Sequence, residues 1–346
     1  MFQRSTTRSR VMKKVGAGVA LALLASTVPL AANASQQSPA SAAKPVSGGK
    51  ITVGVFDTFP GFCMKQILAN SALGGARSIA ETLFERNSSG KVVGFLLNSA
   101  TPSADFKTWN MEIRKKADGQ PIQFHDGAAW NADALIANFN AIRGLVYVAN
   151  ISKDTEKNFL GSTAVAVGNV VSTTKVDDYN VSVKLNSPQA DLRELMYASG
   201  RFIMRSPNSF TDSAKCASTL VGTGPFKQKS AKTTELVVVK NKNYWRKDAA
   251  GNKLPYLDQI TFKYVVESSS RVNGLKSGSL DAAQFSSAAE TTQMKDLSTS
   301  KAVNYFKTGA EFYPSLWFNT AIAPFNNINA RKAVAFALNR DLWAKT

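Results

Sequence analysis

The stretch from Gly222 to Ala283 restricts this chain more than any other, reading GTGPF, then LVVVKNKNYWRK, then LPYLDQITFKYVVESSSRVNGLKSGSLDAA. Gly222 and Gly224 tolerate positive φ and Pro225 holds its own φ. The backbone is therefore expected to turn sharply before the β-branched run that begins at Leu236. Taken alone, GTGPF is an ordinary turn ahead of a strand. Three such punctuated segments in this order demand a strand-rich unit with short connections.

The rest of the chain alternates two periods. Lys50 to Phe56 alternates apolar residues after Gly49, which predicts a first strand running into the irregular loop DTFPGF. Ala76, Ile79, Ala80, Leu83 and Phe84 share one face at helical spacing, so a helix is expected to run as far as the turn Asn87-Ser88-Ser89-Gly90. Trp109, Met111 and Ile113 alternate as a strand before a turn at Asp118-Gly119. Leu135, Ile136, Phe139 and Ile142 form a helical stripe with Asn131 as N-cap and Gly144 beyond its end. Tyr179, Val181, Val183 and Leu185 predict another strand. Near the end, Glu311 to Asn319 has period two, Asn329 is placed to cap a helix through Val334 and Leu338, and Asp341 to cap another. Strands interleaved with helices argue an α/β or α+β fold, and no repeat of solenoid length occurs.

Residues 1–34 read as a secretory signal: Arg4, Arg8, Arg10, Lys13 and Lys14, an uncharged run from Val15 to Leu30, then Ala32-Asn33-Ala34. The run is short and broken by Gly16, Gly18 and Pro29, so no stable membrane insertion is expected after cleavage. A flexible leader at 35–48 follows. The chain carries +18 formally, and the signal accounts for five of those charges with no acid, leaving +13 elsewhere. Those cations are interleaved with acids, with no run longer than Arg114-Lys115-Lys116, which argues against a nucleic-acid partner and leaves a solvated surface or attraction to anionic solutes and polymers. Cys63 and Cys216 are the two cysteines. In an exported chain they predict one disulfide, with two separate buried thiols as the alternative.

Chemistry-bearing motifs are scarce. The single histidine, His125, could supply only one imidazole, so no metal site is expected and the FHDG loop around it reads as structural. G-x-S-x-G, P-loop and C-x-x-C patterns do not occur. Ser298-Thr-Ser-Lys301 and Lys307-Thr-Gly309 imitate two motifs of penicillin-recognising enzymes, but they lie side by side rather than in distant parts of a fold, and no S-D-N accompanies them. No enzyme activity and no cofactor are therefore expected.

The chain resembles the family 5 extracellular solute-binding proteins, the dipeptide- and oligopeptide-binding subunits of ABC importers. The resemblance rests on TWNMEIRKKADGQPIQFHDGAAWNADALIANF at 108–139, GTGPF at 222–226, NKNYW at 241–245, PYLDQITF at 255–262, SGSLDAA at 277–283, and WFNT with NARKAVAFALNRD at 317–341. It implies an α/β, two-lobed periplasmic-binding-protein-like fold with an extra subdomain in lobe I. Lobe I would span 49–290 and its extra subdomain about 75–206. Residues 291–346 would form the interlobe crossover and the start of a lobe II that is largely missing. The implied role is an exported, periplasmic or cell-surface receptor, a monomer that captures a short peptide or other small solute and hands it to permease subunits. Sugars, opines, glutathione, nickel and haem are ligands elsewhere in the family, and an extracytoplasmic enzyme or adhesion protein on the same scaffold is the competing reading.

Candidate ligand contacts come from the loop after the first strand and from the polar face of the late strand: Asp57, Phe59, Phe62, Tyr313, Ser315 and Trp317. Aromatic walls with a few orienting polar groups suit a solute cleft, although Phe59 and Phe62 could equally be core. The 346 residues alone are expected to bind no peptide usefully, because a cleft needs two walls, and residues 310–346 are expected to be mobile.

Overall fold

In a five-stranded sheet, Lys50–Val55 (β1) runs parallel to Gln259–Tyr264 (β10), from Lys50↔Gln259 to Val55↔Tyr264, and to the short Ala282–Ala283 (β11). Glu235–Lys240 (β9) pairs antiparallel with β10, and Phe226–Ala231 (β8) antiparallel with β9, giving the order β11-β1-β10-β9-β8. The structure is a computed structural model that describes residues 45–57, 61–62, 70–143, 167–198, 200, 202–210, 218–285, 290–300, 303–304 and 316–339. The signal and leader, apart from residues 45–48, lie outside that range, as do Gly144 and Asp341.

Alternation decides which face of this sheet is covered. In β9, Leu236 and Val238 are buried while Val237 and Val239 are half-exposed. The buried face meets the helix Asn70–Ile79 (α1), whose Ala76 and Ile79 join Val55, Phe62, Leu236, Val238 and Phe262 in one core. Gly75 lets α1 lie close, since a Cβ there would stand 2.6 Å from Leu236 Cδ2.

The second sheet is antiparallel, in the order Leu97–Pro102 (β4), Thr108–Ile113 (β5), Asn180–Leu185 (β7) and Val170–Asp177 (β6). Trp109, Met111 and Ile113 of β5 face the same way as Val181, Val183 and Leu185 of β7, as their alternation predicts, and build the second core. Ala132–Ile142 (α2) closes it with Leu135, Phe139 and Ile142, and its N-cap is Asn131, whose side chain accepts from Ala134 N at 3.0 Å. Phe84–Arg86 (β2) and Val92–Gly94 (β3) form a small ribbon, and Leu192–Ala198 (α3) packs on it. Among the described residues the further α-helices are Ser268–Ser277 (α4), Thr291–Thr299 (α5) and Ile328–Ala337 (α6).

Four expectations need correction. The helical stripe from Ala76 does not continue to Phe84: α1 ends at Ile79, and Phe84 belongs to β2. The Ile79 carbonyl accepts from Gly224 N at 2.9 Å, so it is taken by a distant segment rather than by the next helical turn. Gly222 and Gly224 are not in the left-handed region, and their role is close approach instead: a Cβ on Gly222 would lie 2.3 Å from Ile79 O, and one on Gly224 2.7 Å. Asn329 is not the cap of α6; Asn327 is, and its side chain accepts from Asn329 N at 2.8 Å. Of the expected late strand, residues 316–319 form none, and 311–315 lie outside the described residues.

Gly222→Ala should therefore destabilise the protein by about 1–3 kcal/mol through overpacking against backbone that cannot yield. Urea unfolding measures this. A variant as stable as the parent would mean that the contact with the end of α1 relaxes freely.

Candidate binding edge and its structural junction

Because β1, β10 and β11 are parallel, their carboxyl ends share one edge, and open α/β sheets bind ligands outside that edge. Here β1 continues into Phe56 and Asp57, β10 into Val265, and β11 into Gln284 and Phe285. Val265 N donates to Val55 O at 2.8 Å, extending the parallel pairing one residue past β10.

Arg271 of α4 holds this edge from beneath. Its side chain is fully buried; Nη1 donates to Val265 O at 2.6 Å and to Val266 O at 2.7 Å, and Nη2 donates to Glu290. The guanidinium also sits 5.0 Å from the Phe285 ring centre and 6.0 Å from that of Phe56. Gly54 makes room for it: a Cβ in its place would be 2.7 Å from Leu280 Cδ1 and 3.6 Å from Arg271 Cγ. One side chain thus ties the ends of β1, β10 and β11 to the start of α5. Replacing it by methionine removes the guanidinium from the buried Glu290 carboxylate, and the loss expected is about 3–5 kcal/mol. Chemical unfolding of Arg271→Met reads this directly, and a loss below about 1 kcal/mol would show that Glu290 simply turns to solvent.

A second arrangement joins the two cores. Glu81, just past the end of α1, is only 4% exposed, and its carboxylate accepts from Tyr244 Oη at 2.6 Å, Thr223 Oγ1 at 2.8 Å and Trp245 Nε1 at 2.9 Å. Burial pushes its pKa up to about 7 despite those three donors. Behind it lies a cavity of about 460 Å³ whose lining includes Arg77, Ser78, Glu81, Phe95, Tyr244 and Phe262. His125 meets the same segment: Nε2 and Gly224 O are 2.9 Å apart, and a carbonyl can only accept, so Nε2 carries the proton. His125 N donates to Gly222 O at 2.9 Å. Burial pushes the imidazole pKa down to about 4. The FHDG, GTGPF and NKNYW motifs thus meet around the end of α1.

These two groups act on stability with opposite signs. Glu81 binds more protons folded than unfolded, so its contribution is full below about pH 4.5 and is lost as the pH rises toward 7. His125 binds fewer protons folded, so its contribution is full above about pH 6.5 and is lost as the pH falls toward 4. Each is worth on the order of 3 kcal/mol, so they largely cancel in the intact protein. Glu81→Gln should expose a stability that rises from pH 4 to 6.5, and His125→Gln one that falls from pH 4.5 to 7. Urea midpoints across that range test this; identical pH profiles in both variants would refute it.

The candidate contacts fall as follows. Asp57 sits at the carboxyl end of β1, half-buried, on the binding edge. Phe62 is 0% exposed and belongs to the core beneath α1, where its ring supports the edge rather than facing solvent. Trp317 is 89% exposed. Phe59, Tyr313 and Ser315, and the cysteines Cys63 and Cys216, lie outside the described residues. Among the described residues no group of three His, Cys, Asp or Glu side chains could hold a metal ion, and no helix is long and apolar enough to cross a membrane. Sequence reading passed over Glu81, Arg271 and Glu290. Glu81 lies off the apolar stripe of Ala76, Ile79, Ala80, Leu83 and Phe84, so its spacing gave no signal of burial.

Comparison with known proteins agrees with this architecture. Residues 91–346 match the family described as bacterial extracellular solute-binding proteins, family 5 Middle. The glutathione-binding protein GsiB of Pectobacterium atrosepticum is 28% identical over 273 residues, which is 78% of this chain and 48% of that protein. GsiB of Escherichia coli K12 is 26% identical with the same coverage. The chain spans about half the length of the curated relatives it matches. Among solved structures, the dipeptide binding protein from Pseudoalteromonas sp. SM9913 in complex with Met-Leu superposes with a TM-score of 0.64 at 18% identity, covering 84% of this chain and 57% of that one. DppA from Helicobacter pylori in complex with the peptide STSA gives 0.59 at 20% identity, covering 73% and 50%.

Proposed function

Because the chain belongs to the bacterial extracellular solute-binding proteins of family 5, a family of ABC importers' binding components with the periplasmic-binding-protein fold, we propose that it captures a peptide-like solute and delivers it to a membrane permease. We place the protein outside the cytoplasm, with residues 1–34 as its export signal, and we assign it no catalytic step. The observation that carries the proposal is the binding edge. Parallel strands end together there, Arg271 fixes their carbonyls, and Asp57 and the residues after it leave the sheet at that point. Such an edge offers backbone and carboxylate partners to the amide and ammonium groups of a short peptide. The names of its relatives and neighbours favour glutathione or a dipeptide as the first solutes to try.

In this reading Asp57, Phe59, Tyr313, Ser315 and Trp317 contribute to one wall of the site, and Phe62 supports that wall from the core. Trp317 stands 89% exposed among the described residues, as a contact awaiting an opposing wall would. Lobe I at 49–290, with its inserted subdomain, is the unit we assign to Asp57, Phe59 and Phe62, while Tyr313, Ser315 and Trp317 come from the crossover segment at 291–346.

Calorimetric titration of glutathione and of mixed di- to tetrapeptides tests the proposal, using a chain carried to the full length of its relatives beside a hydrolysis assay. Stoichiometric binding without turnover is expected, and Trp317→Ala should weaken it by about 1–3 kcal/mol. Turnover without stoichiometric binding would overturn the receptor reading in favour of an enzyme. Unchanged affinity in the Trp317 variant would remove that residue from the site.

A further inference from the structure

The end of the first sheet opposite the binding edge is unusually cationic. β1 and β10 both start there, with Lys50 opposite Gln259, and β9 finishes there, where Lys240 N donates to Asp258 O at 2.8 Å. From Lys240 to Lys253 the chain carries Lys240, Lys242, Arg246, Lys247 and Lys253 against a single acid, Asp248. That acid is spent within its own loop, accepting from Asn252 Nδ2 at 2.8 Å and from the Tyr256 hydroxyl. Arg246 turns away to pair with Glu85 at 3.6 Å, and Lys240 lies 4.0 Å from Asp258 while its Nζ donates to Tyr256 O at 3.4 Å. Lys50, Lys242, Lys247 and Lys253 are exposed, and none makes an ion pair among the described residues.

Two of these lysines face each other. Lys247 and Lys253 form an antiparallel bridge, a directly opposed like-charge pair that costs stability in an isolated sheet. Asp248, next to Lys247 in the chain, is held by Asn252 and Tyr256 and pairs with neither lysine among the described residues. The chain also enters the fold at this end: Gly48 N donates to Tyr256 O, and Asp258 N to Gly49 O, both at 2.9 Å. The residues that precede β1 are therefore joined to the protein at the cationic end rather than at the binding edge.

We propose that this end of the sheet, centred on Lys50, Lys242, Lys247 and Lys253, docks peripherally on a bilayer carrying anionic phospholipid. A planar anionic surface suits it because the cations sit on one loop and one strand start at a single end of the sheet, not in a groove that would thread a polymer. Charge complementarity supplies the attraction, which acts within a Debye length and weakens with salt.

Vesicle co-sedimentation tests this. The purified protein is mixed with vesicles of phosphatidylglycerol and phosphatidylcholine, and with vesicles of phosphatidylcholine alone, at low and at high salt. Binding to the anionic vesicles alone is expected, released by salt. Lys247→Glu with Lys253→Glu should weaken it at least about tenfold, given that each lysine near such a surface is worth about a fivefold change. A control with the same change in net charge, Lys91→Glu with Lys184→Glu in the other core unit, should retain most of the binding. Equal losses in both double variants would reduce the effect to net charge and overturn the proposal. So would binding to the neutral vesicles, or no binding to either. Circular dichroism of the variants shows whether they remain folded, and single Lys50→Gln and Lys242→Gln changes provide a milder second series with the same expected direction.

Discussion

A single buried carboxylate organises the protein. Glu81 stands between two cores, that of the first sheet with α1 and that of the four-stranded sheet with α2. Its donors come from Thr223, three residues before β8, and from Tyr244 and Trp245, after β9. Burying a carboxylate is costly unless its lone pairs are satisfied, and three donors from two distant segments satisfy it only if those segments are already in place. The interaction therefore enforces a register between the cores that no apolar contact could, since hydrophobic burial is not directional. His125 reinforces that register by donating to the carbonyl of Gly224, two residues before β8 begins.

The binding edge is built on a different principle. Arg271 is buried by the closeness of α4 to β1, which Gly54 permits, and its guanidinium then gathers carbonyls that strand pairing leaves free at the ends of β10. Carbonyls fixed this way cannot rearrange when a solute arrives, which spares the binding event part of its ordering cost. Structural junction and binding edge are thus served by two separate buried ionisable residues, one from either end of the unit's chain. A family whose members differ widely in what they bind can vary the loops at such an edge while the junction beneath stays the same.

Much of this was legible in residue order. The period-two runs of β5 and β7 gave both the strands and the buried face, because in a half-buried antiparallel sheet alternation and burial are the same fact. Asn131 was readable as a cap because its side chain acts on a donor three residues away. The end of α1 was not readable. Ala76, Ile79, Ala80, Leu83 and Phe84 keep helical spacing, yet the carbonyl of Ile79 is claimed by Gly224, and the last two apolar residues serve the other core from a strand and its approach. Asn327 and Asn329 were both plausible caps two residues apart, and local chemistry does not choose between them.

By itself, the sequence determined the strands β1, β5 and β7 and the helix α2, the covered faces of β5 and β7, the Asn131 cap, the family, and the excess of positive charge. These depend on residues a few positions apart or on composition, and so survive without a folded structure. Tertiary structure alone decided that Gly222 and Gly224 serve close approach to α1 rather than a turn, that Glu81 and Arg271 are buried, and that the cations of 240–253 gather at the end opposite the binding edge. Each of those outcomes joins groups more than a hundred residues apart or fixes an orientation in space. The free energy of such a contact depends on what the rest of the chain has already placed around it, which no local pattern records.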